Sequence, residues 1–313
     1  MIGNYLRITF FCSFSFLCCS SSPTKKIEEL TNVIEIEKDT IIAEDYHRVY
    51  DFETPLKTSV LDDKLEEISG LTYDVQNNIF LAINDEEGVI YSLGPSEFEI
   101  VAETKFYKKG DYEAIALLDD YIVVSKSSGK LYFNDILSKK TTVYNTKLNG
   151  HNNIEGLCFD IESNALLIAC KEQPMNGGNL KDLKCVYRFD LETKKLDKNP
   201  FLKIYDSQLL TFVESMELNV SKSKLKKLKR KVKNFAPSGI AIHPVTGAYY
   251  LTSGRGSILV IIDKNKQLRD IVFLNDKTNP QPEGITFDKG NNLYISTEGK
   301  GFSGKVFKYD YKG

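Results

Sequence analysis

A short unit returns five times along the chain, and its period restricts the fold more than any other feature. Each copy has a small or acidic residue, a Gly or Ala, an aliphatic residue, a variable one, an aromatic or aliphatic one and often an Asp. The copies lie at Ile68 to Asp74 (ISGLTYD), Tyr112 to Leu117 (YEAIAL), Ile154 to Asp160 (IEGLCFD), Pro237 to His243 (PSGIAIH) and Pro282 to Asp288 (PEGITFD). Their anchors, Ser69, Glu113, Glu155, Ser238 and Glu283, are 44, 42, 83 and 45 residues apart. Repeats of roughly 40 to 50 residues with strand composition are the mark of four-stranded propeller blades. After each unit come a turn, a second strand, a Gly-containing turn and a third strand, as in Ile79 to Ile83 and Val89 to Leu93. Asp, Asn and Gly at these joints suit hairpin turns, so the Asp ending each first strand is read as a turn former.

The 83-residue interval sets the blade count. Its first part supplies the remaining strands of a third blade at Ala165 to Cys170, Cys185 to Asp190 and Phe201 to Tyr205. The rest, 206–236, is rich in Lys, and Leu225, Leu228 and Val232 recur at helical spacing. This predicts a basic helical insertion and not a sixth blade. The last unit has only three strands before Gly313, and Lys57 to Leu61 is placed to supply the fourth. The fold expected is all-β: a five-bladed β-propeller of four-stranded antiparallel blades over 46–313, its ring closed by an N-terminal strand, as propellers do to remove exposed sheet edges.

Within a blade, the start of the first strand and the end of the second share one end of the ring, so all five anchors gather at one mouth of the channel. Asn84, Asp85, Lys126, Lys171, Glu172, Ser253 and Glu298 join them from the second strands. Converging carboxylates repel unless they are protonated, solvated or neutralised by a cation. An oxygen-only set without His or Cys favours Ca²⁺ over Zn²⁺, with Glu113, Glu155 and Glu283 as metal ligands and Ser69, Asp85, Lys126, Glu172, Ser238 and Glu298 as further mouth residues. The competing reading is a water-filled mouth in which Lys126 or Lys171 pairs with the carboxylates. His151 lies near Glu155 as either a general base or a loop residue, and His243, before Pro244, reads as a turn residue at the opposite end.

Basic residues number 41 against 43 acids, so no global field exists for nucleic acid, and none is expected as a partner. The Lys-rich insertion either meets acidic groups, such as phospholipid head groups, or is a solvated helix face. Met1 to Leu17 has a basic start and an apolar core too short to span a bilayer, followed by Cys18-Cys19-Ser20, which matches an export signal of lipoprotein type. Residues 1–19 are therefore read as the signal, Cys19 as the lipidated residue in preference to Cys18, and 20–45 as a polar tether. A plain cleaved signal is the other reading. The chain is expected outside the cytoplasm, membrane-anchored in the cell envelope and monomeric. Cys158, Cys170 and Cys185 are odd in number and irregularly spaced, which argues against a disulfide framework.

The units LEEISGLTYD, DYEAIALLDD, NIEGLCFD, FAPSGIAIHPVTG and QPEGITFDKGNNLYIS resemble the bacterial SdiA-regulated (YjiK-like) family over residues 46–313. The resemblance implies a five-bladed propeller, distantly similar to NHL-repeat propellers, with a calcium site and no established activity. The glutamates matching its EA and EG units are Glu113, Glu155 and Glu283. Two functions follow: a calcium-binding module recognising a small molecule or protein through its mouth, or a calcium-dependent hydrolase of an ester, lactone or phosphoester, with His151, Glu172 or Asp85 as the visible bases.

Overall fold

The structure is a computed structural model that describes residues 49–175, 180–216, 218–276 and 280–313. The segments read as signal (1–19, with Cys19) and tether (20–45) lie outside the described residues. Short runs rich in Val, Ile, Tyr and Phe form antiparallel strands throughout, as side chains that fit a half-buried pleat should. The innermost strands are Ile68–Asp74, Tyr112–Leu117, Ile154–Asp160, Gly239–Ile242 and Pro282–Phe287, one per blade. They neighbour one another in that order, and the fifth returns to the first. Five antiparallel sheets thus form a ring.

The turns follow from side-chain chemistry. Asp74 Oδ1 accepts from the amides of Gln76 and Asn77, both at 3.0 Å, and Asp288 Oδ1 accepts from Gly290 and Asn292 at 2.8 and 2.9 Å. In the fourth blade His243 takes this position, and its Nδ1 accepts from the amides of Val245 and Thr246 at 3.2 Å each. His243 is therefore the turn residue expected, and it is buried.

Ring closure occurs where the sequence places it. Lys57–Val60 pairs antiparallel with Lys305–Lys308 and completes the fifth blade. Ahead of it, Tyr50 is buried at the end away from the mouth, donating to the Asn291 carbonyl at 2.6 Å and meeting His243 Nε2 at 2.9 Å. Because Nδ1 already accepts, Nε2 carries the ring proton and donates to Tyr50. In the third blade the outermost position is shared by Lys195–Leu196 and Leu202–Tyr205, both paired with Leu183–Asp190. The insertion is two helices, α1 at Asp206–Ser215 and α2 at Lys222–Lys233. Leu209 and Val213 of α1 and Val232 of α2 join the core between the third and fourth blades. Among the described residues no helix is long and apolar enough to cross a membrane.

The innermost strands approach too closely for side chains at certain points. A Cβ on Gly284 would stand 2.6 Å from the Leu71 amide nitrogen of the first blade, and one on Gly239 would strike the Glu283 carbonyl of the fifth. The small residue in each unit is thus an inter-blade contact. Gly239→Ala is expected to cost about 1 to 3 kcal/mol through overpacking against backbone, read as a lowered denaturation midpoint. Gly150→Ala, where a Cβ meets nothing within 4 Å, should change it far less.

Candidate functional site

The anchors do not sit in regular strand. The register shifts between Ile68 and Gly70, Tyr112 and Ala114, Ile154 and Gly156, and Pro282 and Ile285, so Ser69, Glu113, Glu155 and Glu283 each fall on a β-bulge. Ser238, at the fourth blade, donates its amide to Thr252 O at 2.9 Å while Gly239 is already paired with Thr252. A bulge re-aims the extra residue out of the sheet alternation. Here it lets an anchor side chain leave the blade interface, while the small residue beside it keeps the packing.

The five anchors divide into two kinds. Ser69 Oγ donates to the Tyr112 carbonyl at 2.9 Å, and Ser238 Oγ donates to the Pro282 carbonyl at 2.6 Å. Each serine fixes the peptide just ahead of the next blade's glutamate, so both position the site and neither lines it. The glutamates cluster electrostatically. Glu155 is held by Asn153 Nδ2 at 2.7 Å and by Lys171 Nζ at 2.9 Å. Burial of Glu113 and the charge of Glu155, with Asp111 beyond, push its carboxyl up to about 8, against the pull of Lys171. Glu283 is buried and is driven well above the usual carboxylate range by desolvation and by Glu155. Burial also raises Glu155, opposed by Lys171 and Asn153. Desolvation works against the Lys171 ammonium, but Glu155, Glu283 and Glu113 raise its pKa overall. Near neutral pH the mouth therefore balances one ammonium against three carboxyls by retaining protons.

The other mouth residues have contacts of their own, although the charge of Glu298 still raises the pKa of Glu283 and that of Asp85 still raises the pKa of Glu113. Glu172 pairs with Arg255 at 2.7 Å, Glu298 accepts from Gln281 Nε2, and Lys126 lies 6.0 Å from the Tyr112 ring centroid. Asp85 has a buried Oδ1 without a hydrogen-bond partner, and burial together with Glu67 and Glu86 raises its pKa. His151 is exposed in its loop. Of the two lysines weighed as counter-ions, Lys171 makes the contact. Asn153 escaped the sequence reading, because its role follows from a left-handed backbone at φ 50° that faces it toward Glu155 and no motif marks it. The all-oxygen donor set is the chemistry that suits a hard cation, and burial together with neighbouring carboxylates raises the carboxyls of Glu113 and Glu283. Among the described residues, no three carboxyl, imidazole or thiol groups are placed around one point as ligands of a shared ion. Lys171 supplies the positive charge instead.

A family model described as SdiA-regulated matches residues 44–303. Among solved structures, the chain is similar to a Myxococcus xanthus glutaminyl cyclase at 11% identity and TM-score 0.52, covering 83% of this chain and 97% of that one. It is also similar to a luciferin-regenerating enzyme at 13% identity and TM-score 0.48, covering 83% and 96%. At these identities the likeness is one of fold. No curated protein matches.

The raised carboxyls make stability depend on pH with a defined sign. A group that binds its proton more tightly when folded stabilises fully below its unfolded pKa, and that stability is lost as pH rises through the folded value. In chelator-containing buffer the melting temperature should therefore fall as pH rises from the ordinary glutamate range through about 8. Glu113→Gln should flatten the upper part of that decline, and a parallel profile in wild type and variant would refute the assignment.

Proposed function

The chain belongs to the SdiA-regulated family, and from that premise we propose that it is an exported, lipid-anchored propeller whose channel mouth is a ligand-binding site for a cation, with Ca²⁺ as the occupant. The observation that carries this reading is the surplus of carboxyls, two buried and one half-buried: Glu283, Glu155 and Glu113 face one ammonium, and the pKa values of Glu113 and Glu283 are raised well above the usual range. A divalent cation bound there would exchange with those protons and compete with Lys171. The carboxylates of Glu113, Glu155 and Glu283 would hold it, and Ser69 and Ser238 would keep two of the glutamate peptides in place. Recognition of a small molecule or protein would then use the rim around the ion. The half-buried acid Glu113, its pKa raised to about 8, keeps calcium-dependent hydrolysis of an ester, lactone or phosphoester as the alternative.

Calorimetry with CaCl₂ in buffers of different ionisation enthalpy tests the cation site. One ion per chain with release of protons at pH 7 is expected, tighter binding in Lys171→Met, and loss of at least about tenfold in affinity in Glu155→Gln. No heat and no bound calcium in native mass spectra would sink the calcium reading. An ester, lactone and phosphoester panel with added Ca²⁺ separates binding from catalysis, since turnover lost in Glu113→Gln would establish the hydrolase.

The anchor has its own test. Cells grown with labelled fatty acid should yield labelled protein, with the label lost in Cys19→Ala. Label retained in that variant and lost in Cys18→Ala would move the site by one residue.

A further inference from the structure

Helix α2 breaks the rules of a stable solvent-exposed helix. It carries Lys222, Lys224, Lys226, Lys227, Lys229, Arg230, Lys231 and Lys233 and no acidic residue. Like charges at i, i+4 repel, and a cation in the first turn opposes the helix dipole, so Lys222 and Lys226 weaken the helix they stand on. A local rule broken beyond what the fold compensates marks a candidate functional element.

The fold sorts these charges. Lys229 pairs with Glu214 at 2.7 Å, and Lys227 and Lys231 pair with Asp276. Leu228 and Val232 are buried, Val232 in the core between the third and fourth blades. What remains is Lys222, Lys224, Lys226, Arg230 and Lys233, and four of these, Lys222, Lys226, Arg230 and Lys233, are spaced by 4, 4 and 3 residues and hence lie on one face, with Lys224 on the other side of the helix. All four are exposed, and none pairs with an acidic side chain among the described residues. They form a straight row of positive charge, about one per 5.4 Å helical turn. The row runs along the same end of the ring as the mouth, because α2 lies between an outermost and an innermost strand and its Lys231 carbonyl closes on the turn at Gly256. Beside Arg230 is a depression of about 270 Å³ bordered by the polar side chains of Lys227, Lys231, Asn234, Ser257 and Asp276 and by the loop backbone at Gly254, Gly256 and Pro280.

We propose that α2 is a docking surface for a linear anionic polysaccharide, its carboxylate or sulfate groups meeting Lys222, Lys226, Arg230 and Lys233 and its hydroxyls meeting the polar depression. A polymer charged at successive sugars matches a row of cations at successive helical turns. A bilayer fits less well, because an interfacial helix buries its apolar face in lipid and here that face is spent on the propeller core. Single-stranded nucleic acid fits less well too, because α2 has no aromatic side chain on which bases could stack.

Binding of a fluorescent heparin oligosaccharide by the full chain tests this at several salt concentrations. Saturable, salt-sensitive binding is expected, weakened at least about tenfold with a shallower salt slope in the K222Q/K226Q/R230Q/K233Q variant. The exposed pair Lys139 and Lys140, away from α2, provides the control: K139Q/K140Q should bind as the wild type does. If the quadruple variant melts early, K222Q/K226Q and R230Q/K233Q should each show part of the loss. Equal binding by wild type and α2 variants would overturn the proposal. So would an α2-dependent preference for an oligothymidylate or for phosphatidylglycerol vesicles over the oligosaccharide.

Discussion

Everything in this molecule depends on how closely five strands can approach one axis. Side chains cannot fill that space, so each innermost strand places a Gly or Ala where the next blade's backbone passes. The approach of Gly284 to Leu71, with 2.6 Å left for a Cβ, is the same constraint that fixes Gly239 against Glu283. A strand that must be small on its packed face can still carry a long side chain only by leaving the pleat. The bulges at Ser69, Glu113, Glu155 and Glu283 are that departure.

The electrostatics of the mouth follow from this geometry. Crowding that excludes side chains also excludes water, so carboxyls delivered there by bulges are desolvated and near one another. Glu155 resolves its share of the conflict through Lys171 and Asn153, while burial and the neighbouring carboxylates raise the pKa of Glu113 and Glu283. The two serine anchors spend their hydroxyls on neighbouring carbonyls and so stiffen the ring around the acids. Packing and charge are thus arranged by one repeated local device.

The insertion obeys a different logic. α1 and α2 give Leu209, Val213 and Val232 to the core between two blades and hold their relation through Lys229 and Glu214. The ring does not need them to close, since the Lys57–Val60 strand does that. They add a strongly basic surface to the mouth end.

The sequence by itself determined the blade number, the strand positions, the closing strand and the helical nature of 206–236. Each of these rests on local periodicity and turn chemistry, which are properties of neighbouring residues. It also placed Glu113, Glu155 and Glu283 together, because antiparallel strands carry equivalent repeat positions to the same end. Only the tertiary structure decided that Ser69 and Ser238 turn away to tie the blades, that Lys171 and not Lys126 is the counter-ion, and that Asn153 belongs to the site. It alone separated Lys222, Lys226, Arg230 and Lys233 from the lysines that Glu214 and Asp276 occupy. The serine ties join groups 43 and 44 residues apart that meet across blades, while the contacts of Glu155 with Lys171 and Asn153 depend on side-chain direction and backbone geometry within one blade, and neither leaves a mark in the sequence pattern.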